Sequence, residues 1–184
     1  RYAESFDYER LTTNGKKNLM VSIGTLLTVE ASRFYQKVIN DFRDTDYNVI
    51  VTVDPSIFDE WPENFIVQSR VPYLELLPYL DVVITHAGAN TTCDCIGMGI
   101  PLLAVPMAFD QFYVADQIKA HKLGTRLRYK RLIAGEMKSA CDELINPDSA
   151  MRENLNEYSN TYKSAGGVRK AVELVEKFIR REAN

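Results

Sequence analysis

The run His86-Ala87-Gly88-Ala89-Asn90-Thr91-Thr92 decides the fold, because it stands directly after the apolar segment Asp81–Thr85. That segment is rich in β-branched residues, which is typical of a buried parallel strand. A helix follows the run until Gly99-Ile100-Pro101 ends it, and Leu102–Val105 has the composition of a second strand. The order strand, turn, helix, strand predicts a βαβ unit, in which ligands bind beyond the carboxyl ends of the strands.

The turn between the first strand and the helix has the chemistry of a phosphate-binding loop. A helix N-terminus offers unpaired N–H groups and about half a positive charge, which suit an anion, and Asn90 or Thr91 can cap the helix. Gly88 lets the backbone approach a ligand closely, while His86, Thr91 and Thr92 add donors. Since the turn contains no Lys or Arg, a diphosphate here is expected to be held by backbone, hydroxyls and imidazole. An ordinary capped turn with a packing histidine is the alternative interpretation.

Strand and helix patterns alternate along the rest of the chain. Six strands with helices between them predict an α/β fold with a Rossmann-like parallel sheet and helices on both faces. Gly124 follows a helix pattern, where a C-cap glycine is expected. The predicted strands are Asn18–Ile23, Tyr47–Val53, Asn64–Gln68, Asp81–Thr85, Leu102–Val105 and Thr125–Arg128, and the predicted helices lie near Val29–Phe42, Tyr73–Leu80, Asn90–Met98, Asp110–Lys122, Ile133–Ile145, Pro147–Lys163 and Gly167–Arg181.

Length and composition predict one domain. The chain has 184 residues, of which 46% are hydrophobic, and this suffices for a sizeable core. We assign residues 16–184 to that domain and residues 1–15 to an interdomain segment. There is no targeting signal and no apolar run of the roughly 20 residues that span a membrane, so a cytoplasmic location is expected. The net charge of −3 argues against a nucleic-acid surface. The three cysteines have no paired spacing and are expected to be free thiols.

The wider spacing around the turn is highly specific. The pattern His-x-Gly-x-Asn-Thr, an acid four residues after the Asn, Gly-Ile-Pro five residues later and then Pro-x3-Asp-Gln runs from His86 to Gln111. It resembles the donor signature of the UDP-glycosyltransferases of GT-B fold, with the bacterial, macrolide-modifying branch the most similar. More weakly, Val21–Thr25 resembles the family's first strand and phosphate loop, and Arg70-Val71-Pro72 resembles its base-binding segment.

The resemblance implies roles for residues around the donor phosphates and ribose. His86 and Thr91 are expected to contact the phosphates, with Asn90 shaping the loop. Thr25 is expected to reach the distal phosphate. Asp94 stands in the place of a Glu that binds the ribose hydroxyls, although its side chain is one methylene shorter.

The resemblance also implies sites for the sugar and the base. Asp110 and Gln111 are expected to hold hydroxyls of the transferred sugar, and Val71 to offer backbone groups to the uracil edge. Arg70 stands where the family has an aromatic residue that stacks on the base, and Tyr73 replaces a Gln. A guanidinium plane can also stack on a base, so sugar-diphosphate binding is more firmly indicated than the identity of the base.

The function that this resemblance implies is that of the donor-binding lobe of a metal-independent, inverting glycosyltransferase. The donor is expected to be a UDP-hexose and the acceptor a small molecule or a lipid. The family's acceptor base is a His of an N-terminal lobe, so no catalytic residue, metal or further cofactor is expected in this chain. Three alternatives remain: a two-chain transferase whose acceptor lobe is a separate and possibly membrane-bound partner, a sugar-nucleotide epimerase of the same fold, and a degenerate lobe that binds nothing.

Several polar residues outside this signature are expected to have structural roles. Asp44-Thr45-Asp46 matches the metal motif of a different glycosyltransferase fold but lies in a polar turn. His121 stands near a helix C-terminus, where a cation is favoured, and it is not expected to be catalytic. Trp61 is expected to anchor a loop.

Overall fold

The computed structural model describes residues 6–24 and 28–182. These residues contain six strands and eight α-helices. The strands are β1 (Lys17–Ser22), β2 (Tyr47–Thr52), β3 (Phe65–Gln68), β4 (Val82–Thr85), β5 (Leu102–Ala104) and β6 (Gly124–Arg126). The helices are α1 (Tyr8–Thr13), α2 (Thr28–Phe42), α3 (Tyr73–Leu76), α4 (Ala89–Met98), α5 (Gln111–Ala120), α6 (Glu136–Leu144), α7 (Ser149–Ser164) and α8 (Gly167–Glu182).

The strands form a single sheet in the order β3-β2-β1-β4-β5-β6, and every neighbouring pair is parallel. The predicted Rossmann-like sheet is therefore confirmed. From β1, the chain first adds β2 and β3 on one side of the sheet and then adds β4, β5 and β6 on the other side, so the order of the strands switches between β1 and β4. In open α/β sheets of this kind, the crevice beyond the carboxyl ends of the two strands at such a switch point is where ligands bind.

Both faces of the sheet are covered, because successive residues of each strand alternate between two apolar clusters. Leu19 and Val21 of β1 pack on one side with α2 and α6, while Met20 packs on the other side with α1, α3, α4, α5 and α7. Leu19 pairs with Val82 and Met20 with Val83, so the register of β1 against β4 keeps both layers aligned. This rigid central sheet holds the loops at its carboxyl edge in fixed positions.

The first fifteen residues, predicted to be an interdomain segment, include a helix that packs on the domain. Leu11 of α1 is 5% exposed within the second apolar cluster. The buried Asn18 donates to the Leu11 carbonyl oxygen at 3.0 Å, and the Nδ2 group of Asn48 donates to Asn18 Oδ1 at 2.8 Å. Asn14 donates in turn to Asn48 Oδ1 at 2.9 Å. This asparagine network attaches α1 to β1 and β2; a connection to a second lobe stays a prediction.

Local backbone chemistry corrects two predicted helix boundaries. Pro78 breaks the helix predicted for Tyr73–Leu80, so α3 ends at Leu76 and a short 3₁₀ turn follows. Helix α6 begins at Glu136 and not at Ile133, because Gly135 has a φ of 80° and the carboxylate of Asp41 accepts hydrogen bonds from the N–H groups of Gly135 and Met137.

Gly124 is not the helix cap that its sequence position predicts. It is the first residue of β6, and a Cβ there would lie 1.9 Å from the Leu102 carbonyl oxygen. The chain needs glycine here for the close approach of two strands, while the left-handed residue after α5 is Lys122, with a φ of 51°.

Helix α8 carries an uncovered apolar face. Its residues from 167 to 180 are all exposed, yet Val168, Val172, Val175, Phe178 and Ile179 recur at the spacing of one helix face. Each of them is at least 51% exposed. Among the described residues, none of the helices is long and apolar enough to cross a membrane.

Candidate functional site

His86 lies at the switch point of the sheet, between the turn after β1 and the turn after β4. Its Nδ1 is 3.4 Å from the Ser22 carbonyl oxygen. A Cβ added to Gly88 would lie 2.7 Å from His86 Nε2, and one added to Gly24 would lie 3.1 Å from Cε1. The imidazole therefore fills the space that these two glycines leave, and its position depends on both turns.

The N-terminus of α4 is open beside this imidazole. Gly88 is the N-cap residue, and no side chain in the described part of the chain caps the helix, so the prediction that Asn90 or Thr91 caps it is wrong. Both lie inside the first turn, where backbone N–H groups have no partner within the helix. Ala87 precedes the cap with a φ of 67°, a conformation that is rare for residues other than glycine and recurs at functional sites. The turn thus directs N–H groups outward next to His86.

The two threonines of the turn have different environments. Thr91 is half-buried and lies within hydrogen-bonding reach of the Tyr73 hydroxyl. Thr92 is 5% exposed, and its enclosed hydroxyl has no hydrogen-bond partner among the residues that the structure describes. Its backbone N–H donates to the Gly88 carbonyl oxygen at 3.0 Å. The Thr92 hydroxyl is thus buried in the protein, and a role for Thr92 at the phosphates stays a prediction.

A cavity of about 340 Å³ opens beside the turn, at the carboxyl ends of the first three strands. It brings the predicted base-binding residues Arg70 and Val71 together with Thr91. Arg70 is exposed, whereas Tyr73 is half-buried, with its hydroxyl 4.0 Å from Cys95 Sγ. Burial, and then the neighbouring Cys95, raises the pKa of the Tyr73 hydroxyl above its ordinary value, so the phenol stays neutral.

Sequence reasoning missed part of the wall of this cavity. Ser22, Thr52 and Ser69 each lie at or just beyond the carboxyl end of β1, β2 or β3 and contribute to its lining. Their shared position was the available indication, because parallel strands place the residues after their carboxyl ends at one edge of the sheet.

Asp110 and Gln111, in the loop between β5 and α5 and at the start of α5, have different environments. Asp110 is exposed, and its side chain makes no cap hydrogen bond to α5. Gln111 is 5% exposed, and its Oε1 accepts hydrogen bonds from the N–H groups of Met107 and Ala108, both at 2.9 Å. The carbonyl end of Gln111 thus holds the loop, and its predicted contact with the transferred sugar stays a prediction.

Asp94 and Thr25 are the two remaining residues that the sequence predicted for the ribose and the distal phosphate. Asp94 is half-buried on α4, three residues beyond Thr91. Thr25, expected at the distal phosphate, lies outside the described residues.

The residues outside the donor signature that were expected to have structural roles make contacts within the protein. Trp61 donates from Nε1 to the Pro55 carbonyl oxygen at 3.0 Å, which confirms it as a loop anchor. His121 Nδ1 lies 2.6 Å from the Tyr158 hydroxyl, at the far end of α5. Asp44 and Asp46 line a polar hollow together with Lys16, the residue that precedes β1. In the part of the chain that the structure describes, no group of three His, Cys, Asp or Glu side chains is placed to hold a metal ion.

This parallel sheet, with its open helix N-terminus at the switch point, is the architecture of the C-terminal lobe of a GT-B glycosyltransferase. Residues 36–178 match the family described as Erythromycin biosynthesis protein CIII-like, C-terminal domain. The chain belongs to this family of glycosyltransferase C-terminal domains, which confirms the resemblance seen in the sequence.

Individual relatives agree with this assignment. NDP-glycosyltransferase YjiC of Bacillus licheniformis is 32% identical over 173 residues, which are 92% of this chain and 43% of the relative. Oleandomycin glycosyltransferase of Streptomyces antibioticus is 27% identical over 95% of this chain and 41% of its own length. Among solved structures, the calicheamicin glycosyltransferase CalG4 superposes with a TM-score of 0.85 at 25% identity, covering 92% of this chain and 45% of that one.

The chain therefore spans less than half of each of these relatives. In each of them, the remaining part belongs to the same polypeptide. This arrangement does not favour the alternative in which a separate partner chain supplies the acceptor lobe.

Proposed function

We propose that this chain binds the nucleotide-sugar donor of a glycosyltransferase, with the diphosphate at the N-terminus of α4. The observation that carries the proposal is the placement of His86 between Gly24 and Gly88, beside an uncapped helix at the switch point of the sheet. The open N–H groups and the imidazole supply donors to an anion in a fixed geometry. They need no metal ion to do so.

The same donors suit the chemistry of an inverting transfer. As the bond between the sugar and the diphosphate breaks, negative charge grows on the departing diphosphate. Preorganised N–H groups that point at this charge lower the barrier, because they need no reorganisation during the reaction. His86 adds one hydrogen-bond donor at the same place. The group that removes the acceptor proton is proposed to lie in an N-terminal lobe.

The nucleoside is proposed to occupy the cavity at the ends of β1, β2 and β3. Val71 offers backbone groups, and Arg70 is exposed at the rim, where its guanidinium plane can cover a base. Asp94 is proposed for the ribose. The preference for uracil rests on the family resemblance, so UDP and dTDP donors are compared directly in the experiment below.

The transferred sugar is proposed to bind at the loop after β5. Asp110 is exposed and offers two carboxylate oxygens to sugar hydroxyls. Of the Gln111 side chain, only the amide nitrogen is left for the sugar, because Oε1 is occupied by the loop backbone. We expect Asp110→Ala to weaken UDP-glucose binding and to leave UDP binding almost unchanged.

The acceptor lobe is proposed to pack on the apolar face of α8. Phe178 is 65% exposed and Ile179 is 60% exposed, and contiguous exposed apolar surface marks an interaction site. Two of the relatives reported above are named as glycosyltransferases of oleandomycin and calicheamicin, so a small-molecule acceptor is the class that we propose. Without that lobe, the chain is expected to bind donor and to transfer sugar negligibly.

Calorimetric titration of this chain with UDP, UDP-glucose and dTDP-glucose, with EDTA present, tests the proposal. The sequence contains two histidines, so His121→Ala is a matched control for His86→Ala. We expect His86→Ala to weaken UDP binding by about 1.5–3 kcal/mol, the contribution of a charge-assisted hydrogen bond, and His121→Ala to leave it unchanged.

Three results would count against the proposal. Equal losses for the two histidine variants, or equal weakening of uridine and UDP by His86→Ala, would assign His86 to packing. Loss of binding on chelation would contradict the metal-free diphosphate site. Absence of binding to all three ligands would identify a degenerate lobe.

A further inference from the structure

Phe109 is an exposed aromatic residue that the donor site does not use. Its side chain is 80% exposed, and its backbone φ is 54°, in the left-handed region. Bulky residues rarely adopt this conformation, and where one does, the surrounding structure must impose it. Both the exposure of the ring and the conformation of its backbone are unfavourable for an isolated loop.

The loop around Phe109 is held by the protein itself. The buried Gln111 receives hydrogen bonds from Met107 N and Ala108 N on one oxygen, both at 2.9 Å. The Gln111 N–H donates to the Ala108 carbonyl oxygen at 3.2 Å. Phe109 lies within the segment that these bonds close, so its presentation to solvent is a fixed property of the loop.

A second aromatic side chain stands exposed on the same segment. Tyr113, in the first turn of α5, is 68% exposed. Its neighbour Phe112 differs, because the Arg126 guanidinium lies 5.7 Å from the centre of its ring. Phe109 and Tyr113 therefore remain as two uncovered rings that flank Asp110 in the sequence.

The order of the strands indicates where Phe109 and Tyr113 lie relative to the proposed donor. The proposed base cavity lies at β1–β3, the diphosphate site follows β4 and Asp110 follows β5, so the donor extends along the sheet in the order base, phosphate, sugar. In an inverting transfer, the acceptor approaches the sugar from the side opposite the diphosphate. The residues that border Asp110 on the β5 loop are therefore positioned to meet it.

We propose that Phe109, together with Tyr113, is a stacking surface for the ring system of a flat, apolar acceptor. This inference rests on the proposed donor-binding function and extends it to acceptor specificity. The rings contribute binding and orientation only. Proton removal is left to the other lobe.

Steady-state kinetics of the full-length enzyme that carries this chain tests the proposal, with a planar aromatic phenol and a flexible aliphatic alcohol as acceptors. Phe109→Ala is expected to raise KM for the phenol about tenfold, the effect of losing one aromatic contact, and to change KM for the alcohol less than twofold. Phe109→Trp is expected to retain the wild-type KM. Ile133→Ala, which truncates another exposed apolar residue (71% exposed), is the matched control and should change neither value.

A second variant separates acceptor binding from folding. Phe109→Gly removes the ring and also relieves the left-handed backbone, so it should raise Tm or leave it unchanged while KM for the phenol rises about tenfold. A fall in Tm would show that the ring packs within the protein and would overturn the proposal.

Donor binding to this chain, measured by calorimetry with UDP-glucose, distinguishes the remaining outcomes. Phe109→Ala should leave the Kd within twofold of wild type. A loss of donor affinity as large as the rise in phenol KM would place the ring on the donor sugar, and equal losses for both acceptors would indicate a general disturbance of the loop; either result overturns the proposal. Failure of the wild-type chain to bind UDP-glucose is a different result, because it refutes the donor site itself.

Discussion

Replacement of Gly88 by alanine tests the donor site without removing any polar group. The new Cβ would lie 2.7 Å from His86 Nε2 and 2.9 Å from Cε1, whereas an ordinary contact is about 3.5 Å or more. The imidazole must therefore move by roughly 0.6–0.8 Å or turn aside. Gly88 has a φ of −66°, which alanine adopts freely, so the backbone has no reason to change. The expected result is a misplaced histidine on an intact helix.

The loss of diphosphate affinity should approach that of His86→Ala. A charge-assisted hydrogen bond contributes about 1.5–3 kcal/mol, which corresponds to a Kd for UDP that rises between about tenfold and 150-fold. Isothermal titration calorimetry of the 184-residue chain with UDP and with uridine measures this. The uridine Kd should change little, because the displaced imidazole is proposed to contact the phosphates and not the nucleoside.

Gly97→Ala is the matched control, since it introduces a similar clash at the other end of α4. A Cβ there would lie 2.6 Å from Tyr162 Cδ1, on a side chain that is 46% exposed and can move aside. This variant should bind UDP as the wild type does. Equal losses of UDP affinity in Gly88→Ala and Gly97→Ala would refute the reasoning, because they would trace the effect to a shift of the whole helix.

Three further predictions concern the body of the domain. Native protein at pH 8 should show one thiol that reacts rapidly with Ellman's reagent, the exposed Cys93, because Cys95 and Cys141 are buried and burial raises the pKa of the Cys95 thiol to about 12; rapid reaction of either remaining thiol in Cys93→Ser would contradict this. Asn48→Ala should lower the free energy of unfolding by about 2–4 kcal/mol in urea, since it removes buried hydrogen bonds to the asparagine network. Burial, and then the hydrogen bond to a neighbouring carboxylate, raises the pKa of Tyr47, so the stability that its neutral phenol contributes is fully present below about pH 10 and is lost at higher pH; Tyr47→Phe should therefore flatten the fall in Tm above pH 10, and an unchanged slope would be evidence against it.

The sheet was predictable because its central strands, β2, β4 and β5, are almost entirely buried. A strand such as β4 then reads as an unbroken β-branched run, and the predicted Asp81–Thr85 differs from the observed Val82–Thr85 by one residue. The alternation of strands and helices, together with the right-handed crossovers that parallel strands require, leaves few possible topologies.

Helix ends and side-chain directions were less predictable, because tertiary contacts decide them. Asn90 is a favoured cap residue, but the extended conformation of Gly88 starts α4 at Ala89. Glycine after a helix predicts a cap, yet at Gly124 the approach of the Leu102 carbonyl determines the residue type. Nothing in the order of the residues distinguishes Asp110, which faces solvent, from Gln111, which turns inward to hold the loop.

The candidate donor site depends on the backbone shape that its glycines allow as much as on its polar residues. The segment 86–92 has no Lys or Arg, so affinity for a diphosphate has to come from the directions of N–H groups and of one imidazole. Directions are set by backbone shape: the left-handed Ala87, the uncapped Gly88 and the space that Gly24 leaves for the ring. This backbone shape requires small and polar residues at fixed positions in the sequence. The pattern from His86 to Gln111 therefore predicts a phosphate site although it contains no cluster of charged residues. The same pattern cannot record which of two adjacent threonine hydroxyls is buried, because that depends on the packing behind the turn.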